Sequence, residues 1–140
     1  MEQRISMITL AVEDLAASRR FYEDGLGWQA AGSSNDDIAF YAIAGMVLGL
    51  YPRAELSRET GVDIAAGPGA ITLAFNARSR DEVDSVISQA VEAGAKSIKA
   101  AEEAFWGGYS GYIADPDGHL IEIAHNPFWS IDDNGHIALE

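Results

Sequence analysis

The sequence predicts an α+β fold of two βαβββ modules whose mixed sheets curve around a cleft. Three observations predict it. First, Met7-Ile8-Thr9-Leu10-Ala11-Val12 alternates as a half-buried strand does, and it lines up with Ala70-Ile71-Thr72-Leu73-Ala74-Phe75. Second, each copy is followed by a capped helical segment that ends in glycine and then by three short strand-like runs. Third, the last two runs are joined by Asp115-Pro116-Asp117-Gly118, with Pro and Gly where a type I turn takes them.

The elements follow in order. Ser6 to Val12 reads as a strand, with Ile8, Leu10 and Val12 on one side and Met7, Thr9 and Ala11 on the other. Asp14 is placed to cap a helix over Leu15 to Asp24, whose Leu15, Ser18, Phe21 and Tyr22 share one face. Gly25 and Gly27 stop it. Strands are expected at Trp28–Gly32, Ile38–Ile43 and Met46–Tyr51, with Ala44-Gly45 turning between the last two. Arg53 to Gly67 lacks a strand period and ends in Gly67-Pro68-Gly69, a connector signal.

The second module opens with a strand over Ala70 to Asn76. Ser79 and Glu82 form a capping box, and Val83, Val86, Ile87, Ala90 and Val91 follow at helical spacing until Gly94. Strands are expected at Lys96–Ala100, Gly111–Ala114 and Leu120–Ala124. Module one thus spans residues 1–53, the connector 54–68 and module two 69–126, together one domain over 1–126. Residues 127–140 form a tail in which Phe128, Trp129, Ile131, Ile137 and Leu139 are too apolar for a free end, so it is expected to pack on the domain or on a partner subunit.

With 140 residues, the chain is long enough to bury roughly two-thirds of its unfolded surface. It has no cysteine, which removes disulfides, thiolate catalysis and zinc–thiolate sites. A formal net charge of −13 repels phosphate backbones and anionic lipid, so neither nucleic acid nor membrane is an expected partner. The start, Met1-Glu2-Gln3-Arg4, lacks the basic and long apolar regions of a signal peptide, and no apolar run approaches the ~20 residues of a membrane span. The sequence reads as cytoplasmic.

Ile8-Thr9-Leu10-Ala11-Val12-Glu13-Asp14-Leu15 with Ser18-Arg19-Arg20-Phe21-Tyr22-Glu23-Asp24-Gly25-Leu26-Gly27-Trp28 resembles the opening of the vicinal oxygen chelate superfamily, which groups glyoxalases, bleomycin-resistance proteins and extradiol dioxygenases. Asp115-Pro116-Asp117-Gly118-His119-Leu120-Ile121-Glu122-Ile123 resembles its closing motif. The resemblance covers residues 5 to 126 and implies the fold; for function it is unspecific, because the superfamily hosts lyases, epimerases, dioxygenases, transferases and plain binders.

In metal-dependent members the resemblance implies four converging ligands, which map here to Met7, Gly49, Ala70 and Glu122. Fe, Mn, Ni or Zn needs imidazoles and carboxylates in such a site. Only Glu122 qualifies, so no metal and no cofactor is expected. His125 lies an odd number of residues from Glu122 and faces away from it, His119 borders a turn, and His136 lies in the tail. All three read as surface or structural.

Alternation puts Met7, Thr9, Ala11, Gly49, Tyr51, Ala70, Thr72, Ala74, Leu120, Glu122 and Ala124 on the concave face, a mostly apolar hollow with few polar groups. Met7, Thr9, Gly49, Tyr51, Thr72 and Glu122 are its candidate ligand contacts. Glu122, buried among apolar neighbours, is expected to have a raised pKa and to serve as a general base or as an anchor for a cationic group; hydrogen bonds to Thr9 and Thr72 are its structural alternative. Ala104 to Gly111 reads as a flap that places Trp106 and Tyr109 over the cleft. The expectation is a metal-independent small-molecule-binding protein, a homodimer by analogy with bleomycin-resistance binders. A glyoxalase-like lyase or isomerase using Glu122 is the alternative, and a metal-dependent lyase or dioxygenase the third reading.

Overall fold

A computed structural model describes residues 1–138. It contains two larger sheets, each built around a parallel pair. In the first, β1 (Met7–Val12) runs parallel to β3 (Met46–Pro52), which pairs antiparallel with β2 (Ala39–Ile43). In the second, β4 (Leu73–Asn76) runs parallel to β7 (Leu120–His125). β6 (Tyr109–Ala114) and β5 (Lys96–Glu103) then follow antiparallel, giving the order β4-β7-β6-β5. The opening strand of each module therefore lies beside its closing strand, as an internal repeat requires.

Each sheet has one face covered by its helix. In module one, α1 (Leu15–Arg20) starts at Asp14, whose carboxylate accepts from Ala17 N at 3.0 Å, and runs into one π-helical turn over Phe21–Gly25. Phe21 and Tyr22 from that turn join Leu10, Val12, Tyr41, Leu48 and Leu50 in the core. In module two, α3 (Arg80–Glu92) is capped by Ser79 and covers the sheet with Val83, Val86, Ile87 and Ala90. Its partners there are Ile113, Ile121 and Ile123. Each such side chain taken out of water contributes about 1.5–3 kcal/mol of gross stabilisation.

Three expectations need correction. Trp28–Gly32 forms no strand. Trp28 instead turns its indole inward, 5.2 Å from Tyr22 and 5.7 Å from Tyr41 between ring centres, and its backbone N–H donates to Tyr22 O at 2.9 Å. The segment keeps one sheet-like bond, Ala31 N to Phe40 O at 2.8 Å. Second, the connector contains a helix, α2 (Arg53–Thr60), closed by Gly61 in the left-handed conformation. Its sequence shows no helical stripe because it buries no side chain. The strand expected over Ala70 to Asn76 is also shorter, with Ala70 in a turn and pairing from Leu73 onward.

The tail folds into a small hairpin of β8 (Ser130–Ile131) and β9 (Ile137–Ala138). Arg78 ties it to module two by donating from Nη2 to Asp132 O at 2.8 Å. Phe128 and Trp129 stay largely exposed, Ile131 and Ile137 are half-buried, and Leu139 lies outside the described residues. No described helix is long and apolar enough to cross a membrane.

The modules are clasped together by the β6–β7 turn. Tyr22 donates from its buried hydroxyl to Asp115 Oδ2 at 2.8 Å. Asp115 Oδ1 accepts from Asp117 N and His119 N, at 3.0 and 2.9 Å. Asp117 Oδ1 in turn accepts from Glu13 N at 2.7 Å, and His119 Nε2 donates to Ala11 O at 2.8 Å. A carbonyl can only accept, so the bond to Ala11 assigns the proton to Nε2 of His119. A shallow cleft of about 320 Å³ beside this clasp is lined by Ala11, Glu13, Arg53, Ala66, Pro116 and Asp117.

Candidate functional site

The face of each sheet opposite its helix is open. On β1 the alternation buries Leu10 and Val12, which leaves Met7, Thr9 and Ala11 on the open side. Parallel pairing sets Val47, Gly49 and Tyr51 beside them, and Phe40 and Ala42 follow from β2. Four expected contacts, Met7, Thr9, Gly49 and Tyr51, therefore share one face. Gly49 leaves room there: a Cβ at that position would lie 3.5 Å from Thr9 Oγ1 and 3.6 Å from Met7 Sδ. This face is apolar, and Met7 is 45% exposed on it. Its phenol, Tyr51, is pushed above the usual tyrosine range by desolvation and by Glu59 of α2.

Module two offers a polar open face. Gly111 fixes its direction: a Cβ there would point at Ile87 Cδ1 of α3, 2.9 Å away. Tyr112 therefore points to the other side. Register then sets Ala74, Glu122, Tyr112 and Lys99 in one row across β4, β7, β6 and β5. The next row holds Asn76, Ala124, Ser110 and Glu102. Glu122 is half-buried in this row rather than enclosed among apolar side chains. The Tyr112 phenol is raised in pKa by desolvation first and by the Glu122 carboxylate second, so it stays a protonated donor near neutral pH. Thr72 lies outside β4, exposed and two residues before Ala74, without a strand partner.

Tyr109 does not belong to this set. Strand β6 begins at Tyr109 rather than at Gly111, and its alternation sends that side chain to the helix side. There the hydroxyl donates to Asp84 Oδ1 at 2.9 Å, and Arg80 lies 5.5 Å from the ring centre. Trp106 packs its indole across Gly108, half-buried, at the edge of the sheet. His125 lies on the opposite side of β7 from Glu122 and donates from Nδ1 to Ala77 O at 3.1 Å. Among the described residues no hydrogen bond or ion pair links the Met7 face to Glu122, and no three His, Asp or Glu side chains gather as a ligand set.

Residues 4–123 match the sequence profile of the glyoxalase/bleomycin resistance protein/dioxygenase superfamily. The chain belongs to that superfamily. Among solved structures it is similar to a glyoxalase-related enzyme from Fulvimarina pelagi, at 39% identity over 98% of both chains with a TM-score of 0.92. A lactoylglutathione lyase from Agrobacterium tumefaciens matches at 24% identity and TM-score 0.72, covering 94% of this chain and 100% of that one. A superfamily member from Burkholderia phytofirmans PsJN matches at 22% identity and TM-score 0.77, over 86% and 96%. The last two likenesses show the fold alone. No functionally curated protein matches.

The strand register sets how the two modules of the internal repeat align. Met7 stands two residues before Thr9, the partner of Gly49. Its counterpart must stand two before Ala74, the partner of Glu122, and that residue is Thr72 rather than Ala70. The helix caps agree, since Met7 and Thr72 each lie seven residues before the cap, Asp14 or Ser79. The donor set is then a thioether, no side chain, a hydroxyl and one carboxylate. That set does not fit a divalent transition metal.

Proposed function

We propose that this chain is a metal-independent small-molecule-binding member of the superfamily, holding its ligand against the open faces of the two sheets. The observation that carries this reading is the row in which half-buried Glu122 stands beside protonated Tyr112, with Ala74 next to it. A few polar groups fixed on strands beside small residues is the make-up of a ligand site. The apolar face around Met7, Phe40 and Val47 supplies the complementary wall. Both faces are open in one chain, so the site is completed by a homodimer in which a second copy covers them.

A second reading is an enzyme of lyase or isomerase type. The pairing of Glu122 with Tyr112 favours it, as does the 39% identical relative described as a glyoxalase-related enzyme. Glu122 would take a proton from a carbon beside a carbonyl, and the Tyr112 hydroxyl would stabilise the oxyanion that develops.

Thermal-shift screening of dialysed protein against a metabolite and antibiotic panel tests the binding reading. A ligand at 100 times its Kd raises stability by about 2.7 kcal/mol. Hits should persist in chelator and weaken in Glu122→Gln. Hits that vanish with chelator would refute metal independence. Turnover that Glu122→Gln abolishes while ligand binding survives would favour the enzyme reading.

A further inference from the structure

The row that carries Glu122 continues past Tyr112 to Lys99 on β5. Adjacent strands lie ~4.8 Å apart, so the Glu122 and Lys99 backbones are about 10 Å apart with a phenol ring between them. Lys99 Nζ is 2.8 Å from Glu102 Oε1, and the lysine side chain is 50% exposed. An ammonium has three donors, and Glu102 occupies one of them. An ion pair this exposed holds the side chain on the face without committing it, because such pairs are weak and rearrange readily. The bond to Glu102, aided by the field of Glu122, keeps the ammonium charged.

We infer that Lys99 reads the ligand, and that the ligand is a small zwitterion laid across Tyr112 with its cationic end on Glu122 and its anionic oxygen on Lys99. The inference rests on the small-molecule reading above and names the ligand class for that same site. Glu122 can only accept and Lys99 can only donate, so a ligand spanning both must carry a donor at one end and an acceptor at the other. The whole-chain charge points the same way. A bare anion is repelled by a surface of net charge −13, and a bare cation leaves the remaining donors of Lys99 without an acceptor. A molecule with separated but balanced charges meets neither obstacle.

The test is an NMR titration of the intact protein with 4-aminobutyrate, butyrate and butylammonium as probes. The expected result is that 4-aminobutyrate binds best and moves the amides of Lys99, Tyr112 and Glu122. Lys99→Met should weaken it about two- to fivefold, the range of a half-exposed ion pair, without weakening butylammonium. Lys99→Arg should restore it. Two results would overturn the inference: an unchanged 4-aminobutyrate titration in Lys99→Met, or tighter binding of butylammonium than of 4-aminobutyrate to the wild type. If none of the three probes binds while the metabolite panel yields a hit on this face, the zwitterion inference falls and the small-molecule reading stands. If the panel also yields nothing, both fall.

Discussion

Replacing Tyr22 by phenylalanine tests the clasp between the modules with the least disturbance. The ring stays, wedged against Phe21, Trp28 and Tyr41 at centroid distances of 5.0, 5.2 and 6.0 Å. Only the hydroxyl is lost, and with it the donor 2.8 Å from Asp115 Oδ2. Asp115 is 3% exposed, so water does not readily replace that donor. Leaving such an acceptor unpaired costs about 1–3 kcal/mol. For a chain of this length that is a fall in Tm of roughly 3–12 °C. Burial holds the Asp115 pKa above the ordinary carboxylate value, and the bond from Tyr22 works against that rise. Tyr22→Phe should therefore raise it further. A carboxyl raised in the native state contributes stability that is complete below its unfolded value and is lost as pH rises through its native value. The penalty of Tyr22→Phe should accordingly be small near pH 4 and grow toward pH 7. Calorimetry or urea unfolding at several pH values measures it. A penalty below about 0.5 kcal/mol at pH 7, or one that shrinks as pH rises, would refute the reasoning.

Two buried strand glycines should respond differently to alanine. Gly111→Ala puts a methyl 2.9 Å from Ala101 N, Lys99 O and Ile87 Cδ1, so urea unfolding should show a loss of about 1–3 kcal/mol. Gly49→Ala meets nothing closer than 3.5 Å and should be neutral within about 0.5 kcal/mol or slightly stabilising. The metal register can be tested by construction. The combined Met7→His, Gly49→Glu and Thr72→His substitutions, with native Glu122, should retain zinc through dialysis, whereas the same set with Ala70→His in place of Thr72→His should not. Atomic absorption decides it, and equal zinc in both would refute the register.

Much of this is legible in residue pattern. The two capped helices are readable because Asp14 and Ser79 are short acceptors placed before amphipathic runs. Glu122 is readable as facing away from the helix because period two holds along β7. Tyr112 escapes the alternation argument although another signal marks it. Gly118 in the left-handed conformation adds a residue to the turn, so Asp115 faces His119, and counting outward from that pair gives Ala114 with Leu120, Ile113 with Ile121 and Tyr112 with Glu122. Lys99 is harder, because register shifts on either side of it in β5 defeat simple counting. Tyr109 misleads because its aromatic character beside Gly107 and Gly108 suggests a loop, while the strand has already begun. The offset that pairs Met7 with Ala70 matches similar residues, but strand neighbours and caps set the repeat two residues later.

The Asp115–Gly118 turn serves two functions that separate experimentally. Its side chains, with that of the following His119, join the modules through Tyr22, Glu13 and Ala11. Its backbone sets the hairpin register through Asp115 N to His119 O at 3.0 Å and Gly118 N to Asp115 O at 2.9 Å. That register is what puts Tyr112 opposite Glu122. Removing the Tyr22 hydroxyl touches the first function and leaves the backbone bonds intact. Stability should therefore fall in Tyr22→Phe while the chemical shifts of Glu122, Tyr112 and Lys99 stay near their wild-type values. If those shifts move with stability, the open face of module two depends on the clasp, and the ligand row is not the rigid platform its backbone pairing implies.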